Sequence, residues 1–215
     1  MEPLRILFFT SGLGVGGAEH HLLSLCRYLS RGGHKPSVCT LERSEGGLEA
    51  DFVDEGVPLF RLPLGSLRRI AAPRFVSGLR RVLAASNPDI VHAHLYHAEV
   101  VAGLASFLSR APVLATRHSA GLEFQGARSL VARSLARRFA LCIAVSDASA
   151  REAVATGFPP RLVTVLPNAV DPDRFRPSDA PERERRRGAL VASLFPGDHP
   201  SECILVGSVG GLKEV

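Results

Sequence analysis

The chain has no tryptophan and only two tyrosines among its 215 residues. Proteins that bind single-stranded nucleic acid stack the bases on aromatic side chains, so this composition argues against a nucleic-acid partner. Lysine is also scarce, since Lys35 and Lys213 are the only two, and arginine therefore carries most of the formal net charge of +5. This balance is compatible with phosphate-bearing or acidic partners.

Several motifs and long apolar runs are missing as well. Neither the nucleophile motif G-x-S-x-G nor the P-loop motif is present, which argues against an α/β-hydrolase and a P-loop nucleotidase. No apolar run is long enough to span a membrane, and the first one is too short for a signal peptide. The four cysteines are scattered without a C-x-x-C pair, which predicts buried free thiols in a reducing compartment. We therefore expect a cytoplasmic protein.

The chain opens with an apolar run, a glycine-rich stretch and a segment of helical periodicity. The run covers residues 4–9, the glycines lie within residues 10–17, and apolar positions repeat every three or four residues from Ala18 to Leu29. This pattern predicts a strand, a turn and a helix, which together begin a βαβ unit. Glycines in such a turn let backbone amides at the helix N-terminus approach a phosphate closely.

The glycine turn has three interpretations. Gly12, Gly14 and Gly17 satisfy G-x-G-x-x-G, and Glu42 ends the next apolar run, as in an NAD-dependent oxidoreductase. In the second interpretation the close approach to phosphate lies at Gly16 and Gly17, directly before the helix. The third is a turn that serves packing alone.

Strands and helices alternate along the rest of the chain, which predicts a doubly wound parallel α/β sheet. After residue 166 the composition changes to a linker rich in proline, aspartate and asparagine, and residues 203–209 again predict a strand followed by glycines. We therefore predict one domain over residues 1–177, followed by a linker and the incomplete start of a second domain over residues 178–215. The predicted strands of the first domain cover residues 4–9, 37–41, 57–62, 89–93, 112–116, 141–145 and 162–166.

Ligands of open parallel sheets bind beyond the carboxyl ends of the strands. His94, Thr116, His118, Ser146 and Asn168 fall there, together with the glycine turn. The histidines of this region form a possible zinc set, but no carboxylate or cysteine at ligand spacing accompanies them. We predict that the site holds no metal and that His118 forms hydrogen bonds with a polar ligand.

Taken together, these motifs resemble family 4 glycosyltransferases, whose GT-B fold contains two Rossmann-like domains. The match spans roughly residues 5–175 in the expected order, although Ala169 replaces a glycine of the family pattern. The motifs that carry the resemblance are Gly16-Gly17-Ala18-Glu19, Pro88-Asp89-Ile90-Val91-His92-Ala93-His94, Thr116-Arg117-His118, Val145-Ser146, and Leu166-Pro167-Asn168-Ala169-Val170-Asp171 with Phe175.

The resemblance implies retaining transfer of a sugar from a nucleotide-sugar donor to a glycan or lipid acceptor, with the donor as substrate and no cofactor. It implies that Gly16, Gly17 and Lys213 contact the donor diphosphate and that His118 is a catalytic residue at the donor sugar. It also implies a pocket for acceptor and sugar, formed by Glu19, His94, Thr116, Ser146 and Asn168.

Residues 206–213 resemble the segment that opens the second domain of the family, with Ser208 and Glu214 in place of an arginine and a glycine. The Glu-x₇-Glu motif of that domain is absent, so we expect the chain to be inactive by itself. Three explanations are open: a truncated gene product, a frameshifted one, or one half of a two-chain enzyme whose partner is a separate C-terminal half. Arginine-rich helices predict a second partner, the anionic inner face of a membrane. The alternatives are the NAD-dependent oxidoreductase and a non-catalytic subunit that binds sugar or lipid.

Overall fold

The computed structural model describes residues 2–42, 47–65, 70, 72–118, 127–172 and 175–195, without the side chains of residues 127–129. Seven strands in this part of the chain form one parallel sheet in the order β3-β2-β1-β4-β5-β6-β7. The predicted doubly wound α/β fold is thereby confirmed. The strands are β1 (Arg5–Thr10), β2 (Lys35–Thr40), β3 (Leu59–Arg61), β4 (Ile90–His94), β5 (Val113–Arg117), β6 (Leu141–Ala144) and β7 (Val163–Val165).

The helices begin and end where local signals predict. Gly32 caps the first helix and Gly33 follows with a φ of 82°, a left-handed conformation that glycine adopts readily. Pro73 opens the third helix, and Asn87 ends it in the left-handed region. The helices are α1 (Gly17–Arg31), α2 (Glu49–Asp54), α3 (Pro73–Ser86), α4 (Tyr96–Ala105), α5 (Ala127–Ala136), α6 (Asp147–Ala155) and α7 (Ala180–Leu194).

The two faces of the sheet carry different helices. Side chains alternate along β1, so Leu7 and Phe9 join the core that contains residues of α3, α4 and α6, whereas Ile6 and Phe8 join the core with α1 and α2. This division follows from right-handed crossovers, because the strand order reverses between β1 and β4. The reversal is a topological switch point, where open α/β sheets place their ligands.

The chain divides into two compact units, residues 1–169 and residues 170–215. In the second unit, Asp179 caps α7 by accepting a hydrogen bond of 2.8 Å from the amide of Glu182. The charged run from Glu182 to Arg187 lies on this helix, and three of its arginines pair with glutamates three or four residues away: Arg185, Arg186 and Arg187. These pairs support the first turns of α7. The predicted boundary at residue 177 stays a prediction, and the predicted strand at residues 203–209 lies outside the described part of the chain.

Within residues 2–195, apart from the gaps given above, no helix is long and apolar enough to cross a bilayer.

Candidate functional site

The glycine turn leads directly into α1. Gly16 is the N-cap residue, with extended backbone angles (φ −153°, ψ 168°), and Gly17 is the first helical residue. Because glycine has no side chain, Gly16 supplies no capping oxygen to the amides of the first turn, whereas Ser146 and Asp179 cap α6 and α7. An uncapped helix N-terminus directs backbone amides at an anion. The start at Gly17 favours the interpretation that places the phosphate approach at Gly16 and Gly17.

The fold itself does not require glycine at two positions of this turn. A Cβ atom on Gly14 or Gly17 would meet no other atom within 4 Å, and neither residue has a left-handed backbone. At Gly16, an added Cβ would overlap the carboxylate of Glu19, which folds back over the start of α1. A flexible carboxylate can move aside. The open space around Gly17 is therefore available to a ligand.

A glycine outside the turn holds it in place. The amide of Leu48 donates a hydrogen bond of 2.7 Å to the carbonyl of Leu13, and a Cβ on Gly47 would overlap that same carbonyl oxygen. Leu13 is fully buried. Gly47 thus allows two backbone segments to touch at the turn. This residue was not among the predicted site residues, although the Gly46-Gly47 pair is a visible signal of close backbone approach.

Four histidines meet on the α1 side of the sheet beside the switch point. His92 and His94 alternate on β4 and therefore share a face, with ring centroids 4.7 Å apart. His118 follows β5, and its ring stacks on that of His94 at 5.1 Å. His21 of α1 lies 5.3 Å from His118 in an edge-to-face contact. We call these four residues the histidine cluster.

Hydrogen bonds connect β4 and β5 inside the cluster. His94 Nδ1 lies 2.9 Å from His118 Nε2, and His92 Nε2 lies 2.7 Å from Thr116 Oγ1. The ring of Phe8 packs against His92 and His94 from β1, with centroid distances of 5.2 and 5.7 Å. The structure therefore brings together three of the predicted site residues, His94, Thr116 and His118. His21 was not among the predicted residues.

The environment of the cluster keeps its imidazoles neutral. Burial, and to a smaller extent the charges of His118 and His21, lower the pKa of His92 to about 3. Burial followed by the charge of His21 lowers the pKa of His118 to about 4. The pKa of His94 falls well below its ordinary value, again mainly because the ring is buried. At neutral pH each of these rings therefore has one N–H donor and one acceptor nitrogen.

Two buried ring nitrogens of the cluster have no hydrogen-bond partner among the described residues: His94 Nε2 and His118 Nδ1. Buried polar atoms are usually paired, so these two are suited to a polar ligand. In the same part of the chain, no group of three histidine, cysteine, aspartate or glutamate side chains can hold a metal ion. The arrangement supports hydrogen bonding to a ligand or transfer of a proton.

An apolar groove of about 370 Å³ lies next to the cluster on the same face. His21, His92, Thr116 and Asn168 supply its polar lining, so Asn168 lies near the predicted site. Its apolar lining comes from the sheet, α1 and the segment after β7: Ile6, Phe8, Leu25, Leu29, Ile90, Leu114, Ile143, Val145, Leu166, Pro167 and Ala169.

The remaining predicted residues lie elsewhere. Ser146 is exposed and accepts a hydrogen bond of 3.2 Å from the amide of Ser149, so it caps α6. Glu42 is the ribose-binding residue of the oxidoreductase interpretation. Its side chain is 59% exposed, and its Oε1 lies 3.7 Å from His97 Nδ1. Lys213 lies outside the described residues.

A buried ion pair anchors the strand that presents His118. The guanidinium of Arg117 donates two hydrogen bonds to the carboxylate of Glu99, at 2.9 and 3.0 Å, and a third to Thr156 Oγ1 at 2.5 Å. Arg117 and Glu99 are 2% and 4% exposed. Because side chains alternate, Arg117 points away from the face that carries Thr116 and His118. The pair therefore fixes the end of β5 from the opposite side.

The backbone is strained where β4 ends. Leu95, the residue after His94, has φ 72° and ψ 163°, a region that is essentially restricted to glycine and costs of order 1–3 kcal/mol for other residues. Such strain is concentrated at functional sites. No local pattern in the sequence indicates this conformation for a leucine.

Proteins of known function and known structure resemble this chain over most of its length. The chain is 27% identical over 201 residues to a phosphatidyl-myo-inositol mannosyltransferase of Mycobacterium tuberculosis, and the match covers 89% of this chain and 51% of that protein. A crystal structure of Anabaena Alr3699/HepE in complex with UDP and glucose matches with a TM-score of 0.68 and 26% identity, over 88% of this chain and 51% of that one. The chain thus spans about half the length of these relatives.

A second solved structure, a glycosyltransferase from Rickettsia africae, shares the fold with a TM-score of 0.67 at 18% identity, over 88% of this chain and 50% of that one. The family model described as Glycosyltransferase Family 4 matches residues 15–174. This range includes the first turn of α1, the histidine cluster and the segment that contains Asn168. The chain therefore belongs to glycosyltransferase family 4 and has the Rossmann-like fold of the GT-B enzymes.

Proposed function

We propose that this chain forms the N-terminal, acceptor-side half of a retaining glycosyltransferase that transfers a sugar from a nucleotide-sugar donor to a glycan or lipid acceptor. The observation that carries the proposal is the position of the uncapped N-terminus of α1 and of the neutral histidine cluster at one switch point. The UDP and glucose bound in the Anabaena protein support a nucleotide-sugar donor.

In this proposal the glycine turn acts on the leaving group. When the bond between the anomeric carbon and the diphosphate oxygen breaks, negative charge develops on the diphosphate. The amides at Gly16 and Gly17 and the positive end of the α1 dipole stabilise that charge. The open space at Gly17 permits the close approach that this contact needs.

The histidine cluster acts on the sugar. His118 is half-buried at the end of β5 and neutral at pH 7, so it forms hydrogen bonds with sugar hydroxyl groups without adding a charge. His94, Thr116 and Asn168 line the region around it. The acceptor oxygen forms the new bond to the anomeric carbon and its proton leaves with the diphosphate or with solvent.

The chain supplies only part of the site in this proposal. We propose that the nucleotide pocket, and basic residues that contact the diphosphate, belong to a C-terminal half and that no cofactor takes part. Each interaction lost from the transition state costs about 10²–10³ in rate. We therefore propose that the chain does not transfer sugar at a useful rate without a C-terminal half.

We also propose contact with an anionic membrane surface through α5 and the turn that follows it. Leu130 is 70% exposed and Val131 is 39% exposed. Arg133, Arg137 and Arg138 are exposed on the same segment. Exposed apolar residues beside arginines are typical of helices that lie on anionic lipids. Cosedimentation with phosphatidylglycerol vesicles, compared with phosphatidylcholine vesicles, tests this contact.

The proposed donor site is tested by amide NMR of the ¹⁵N-labelled chain during titration with UDP-glucose, GDP-mannose and NADH. We expect a nucleotide sugar to shift the amides of residues 16–19 and the signals of His118. Shifts centred on Glu42 with NADH, and none with either nucleotide sugar, would favour the oxidoreductase. In a reaction completed by a C-terminal half, the product is expected to keep the anomeric configuration of the donor.

A further inference from the structure

The hydrogen bond between His94 and His118 couples the protonation of the two rings. Both rings are neutral at pH 7, so each holds one proton on one of two nitrogens. The bond joins His94 Nδ1 to His118 Nε2, and one of these two atoms must hold the proton that forms it. The position of this proton then determines the state of both unpartnered nitrogens.

Two arrangements satisfy this bond. In the first, His94 donates from Nδ1, so His94 Nε2 is an acceptor and the proton of His118 lies on Nδ1. In the second, His118 donates from Nε2, so His118 Nδ1 is an acceptor and His94 Nε2 holds a proton. The two unpartnered nitrogens therefore always have opposite roles, one as donor and one as acceptor.

Burial favours the first arrangement. His94 is 1% exposed, and its Nε2 has no partner among the described residues. Either arrangement leaves one buried N–H without a partner, because His94 Nε2 and His118 Nδ1 are both buried. The second arrangement places this N–H in the deeper ring, that of His94. The first places it on His118, a residue that is only half-buried, and an unpaired polar group costs less where the surroundings are less apolar.

We propose that His94 is a positioning residue that locks His118 in the tautomer protonated at Nδ1. His118 consequently presents a hydrogen-bond donor, and not an acceptor, to an oxygen atom of the ligand. The identity of that ligand rests on the proposed function, but the tautomer is a property of the unliganded chain. The proposed tautomer can therefore be wrong while the proposed function is right, and the reverse.

The tautomer is measured directly by long-range ¹H–¹⁵N correlation spectra of the imidazole rings in the 215-residue chain at a pH of about 7.5, well above the lowered pKa values of both rings. The His118 signals are assigned by their loss in His118→Asn. We expect the Nδ1 shift of His118 to be that of a protonated ring nitrogen and the Nε2 shift to be that of an unprotonated one. Protonation of His118 at Nε2 in the unmodified chain would overturn the proposal.

Two substitutions at position 94 test the cause of the lock. His94→Phe keeps a ring but donates no hydrogen bond, so the two nitrogen shifts of His118 are expected to move towards each other as both tautomers become populated. His94→Asn retains an amide N–H near the place of Nδ1 and is expected to keep the lock. Unchanged shifts in His94→Phe, or equal loss of the lock in both variants, would show that His94 does not set the tautomer.

The matched control is His21→Phe. His21 touches the His118 ring at 5.3 Å through an edge-to-face contact, so this substitution alters packing beside His118 and leaves the bond to His94 in place. We expect no change in the tautomer of His118. A change as large as that in His94→Phe would assign the effect to packing and contradict the proposal. If His94→Phe does not fold, the unmodified chain and His94→Asn decide the outcome.

Discussion

Arg117 and Glu99 form a bidentate ion pair in the core, directly behind the strand end that presents His118. Arg117 also stacks on the ring of Phe158, with its guanidinium carbon 5.1 Å from the ring centroid. Three elements meet at this pair, because Glu99 lies on α4, Arg117 on β5 and Thr156 just after α6. The pair therefore links the helices of one face to the site on the other face.

Removal of one partner of this pair is expected to destabilise the fold strongly. Arg117→Met leaves the Glu99 carboxylate buried without its guanidinium, which typically costs about 3–5 kcal/mol. The double variant Glu99→Met, Arg117→Met is expected to cost much less than the sum of the two single variants, since no charge is left in the core. Urea unfolding measures all three.

The control for this prediction is Arg27→Met, which breaks the pair between Arg27 and Glu55. Those side chains are 30% and 31% exposed, and such pairs contribute about 0–1 kcal/mol. Equal losses for Arg27→Met and Arg117→Met would contradict a special role for the buried pair.

Gly47→Ala is expected to displace the glycine turn. The new Cβ overlaps the carbonyl of Leu13, and backbone atoms cannot move aside as a flexible side chain can. Overpacking of this kind costs about 1–3 kcal/mol. We expect a lower melting temperature and shifted amide signals in residues 11–17. Gly14→Ala, which meets open space, is the control: it should leave the melting temperature unchanged and shift only the amide signals of residue 14 and its immediate neighbours.

Gly17→Val is expected to separate ligand binding from stability. A Cβ at this position meets no protein atom and the backbone is not left-handed, so the melting temperature should stay close to that of the unmodified chain. The branched side chain nevertheless occupies the space through which a diphosphate would approach. UDP-glucose should therefore no longer shift the amides of residues 16–19. Unchanged binding would remove the glycine turn from the proposed donor site.

Acid is expected to destabilise the fold in a defined pH window. His118 and His92 have pKa values of about 4 and about 3 in the folded chain, below the ordinary value of 6.5. Between pH 6.5 and about pH 3 the unfolded chain therefore binds more protons than the folded chain does. The contribution of the two rings to the free energy of unfolding is complete above about pH 6.5 and falls as the pH decreases towards 3. Each ring contributes up to about 1.4 kcal/mol per pH unit within its own window.

The pH profile is measured by urea unfolding between about pH 7.5 and about pH 4, the range in which the unfolded chain takes up these protons. His92→Phe should reduce the steepness of the decline, because one buried titrating ring is lost. His20→Gln alters an exposed histidine of α1 and should leave the profile unchanged. A decline of equal steepness in all three proteins would show that the buried rings do not cause it.

The native chain is expected to react slowly with thiol reagents. Cys26, Cys39 and Cys142 are free and buried, and burial raises the pKa of each thiol to about 12. The thiolate is the reactive form, so these three residues should react only after unfolding. The measurement uses Cys203→Ser and Ellman's reagent with and without urea. Rapid reaction of three thiols without urea would contradict the burial of these residues.

The sequence alone determined the layers of this fold. Apolar residues at periods of two and of three to four predict β1, α1 and their successors closely, because each element has to bury one face and those periods bring its apolar residues onto that face. Gly33, Pro73 and Ser146 mark helix ends through local backbone chemistry that acts over a few residues. The motifs around Gly16, His94 and His118 are local as well, and they indicate the family by residue type and spacing alone.

Only the tertiary structure decided which distant residues touch. The bond between His94 and His118 joins positions 24 residues apart, and the Arg117–Glu99 pair joins positions 18 apart. The first contact depends on the pairing of β4 with β5, and the second depends on the packing of α4 against the sheet. No local periodicity encodes such a contact, since the apolar pattern of a strand shows that the strand is buried but does not specify which other strand lies beside it. Gly47 reaches the turn in the same way, through a backbone approach that exists only once the chain has folded.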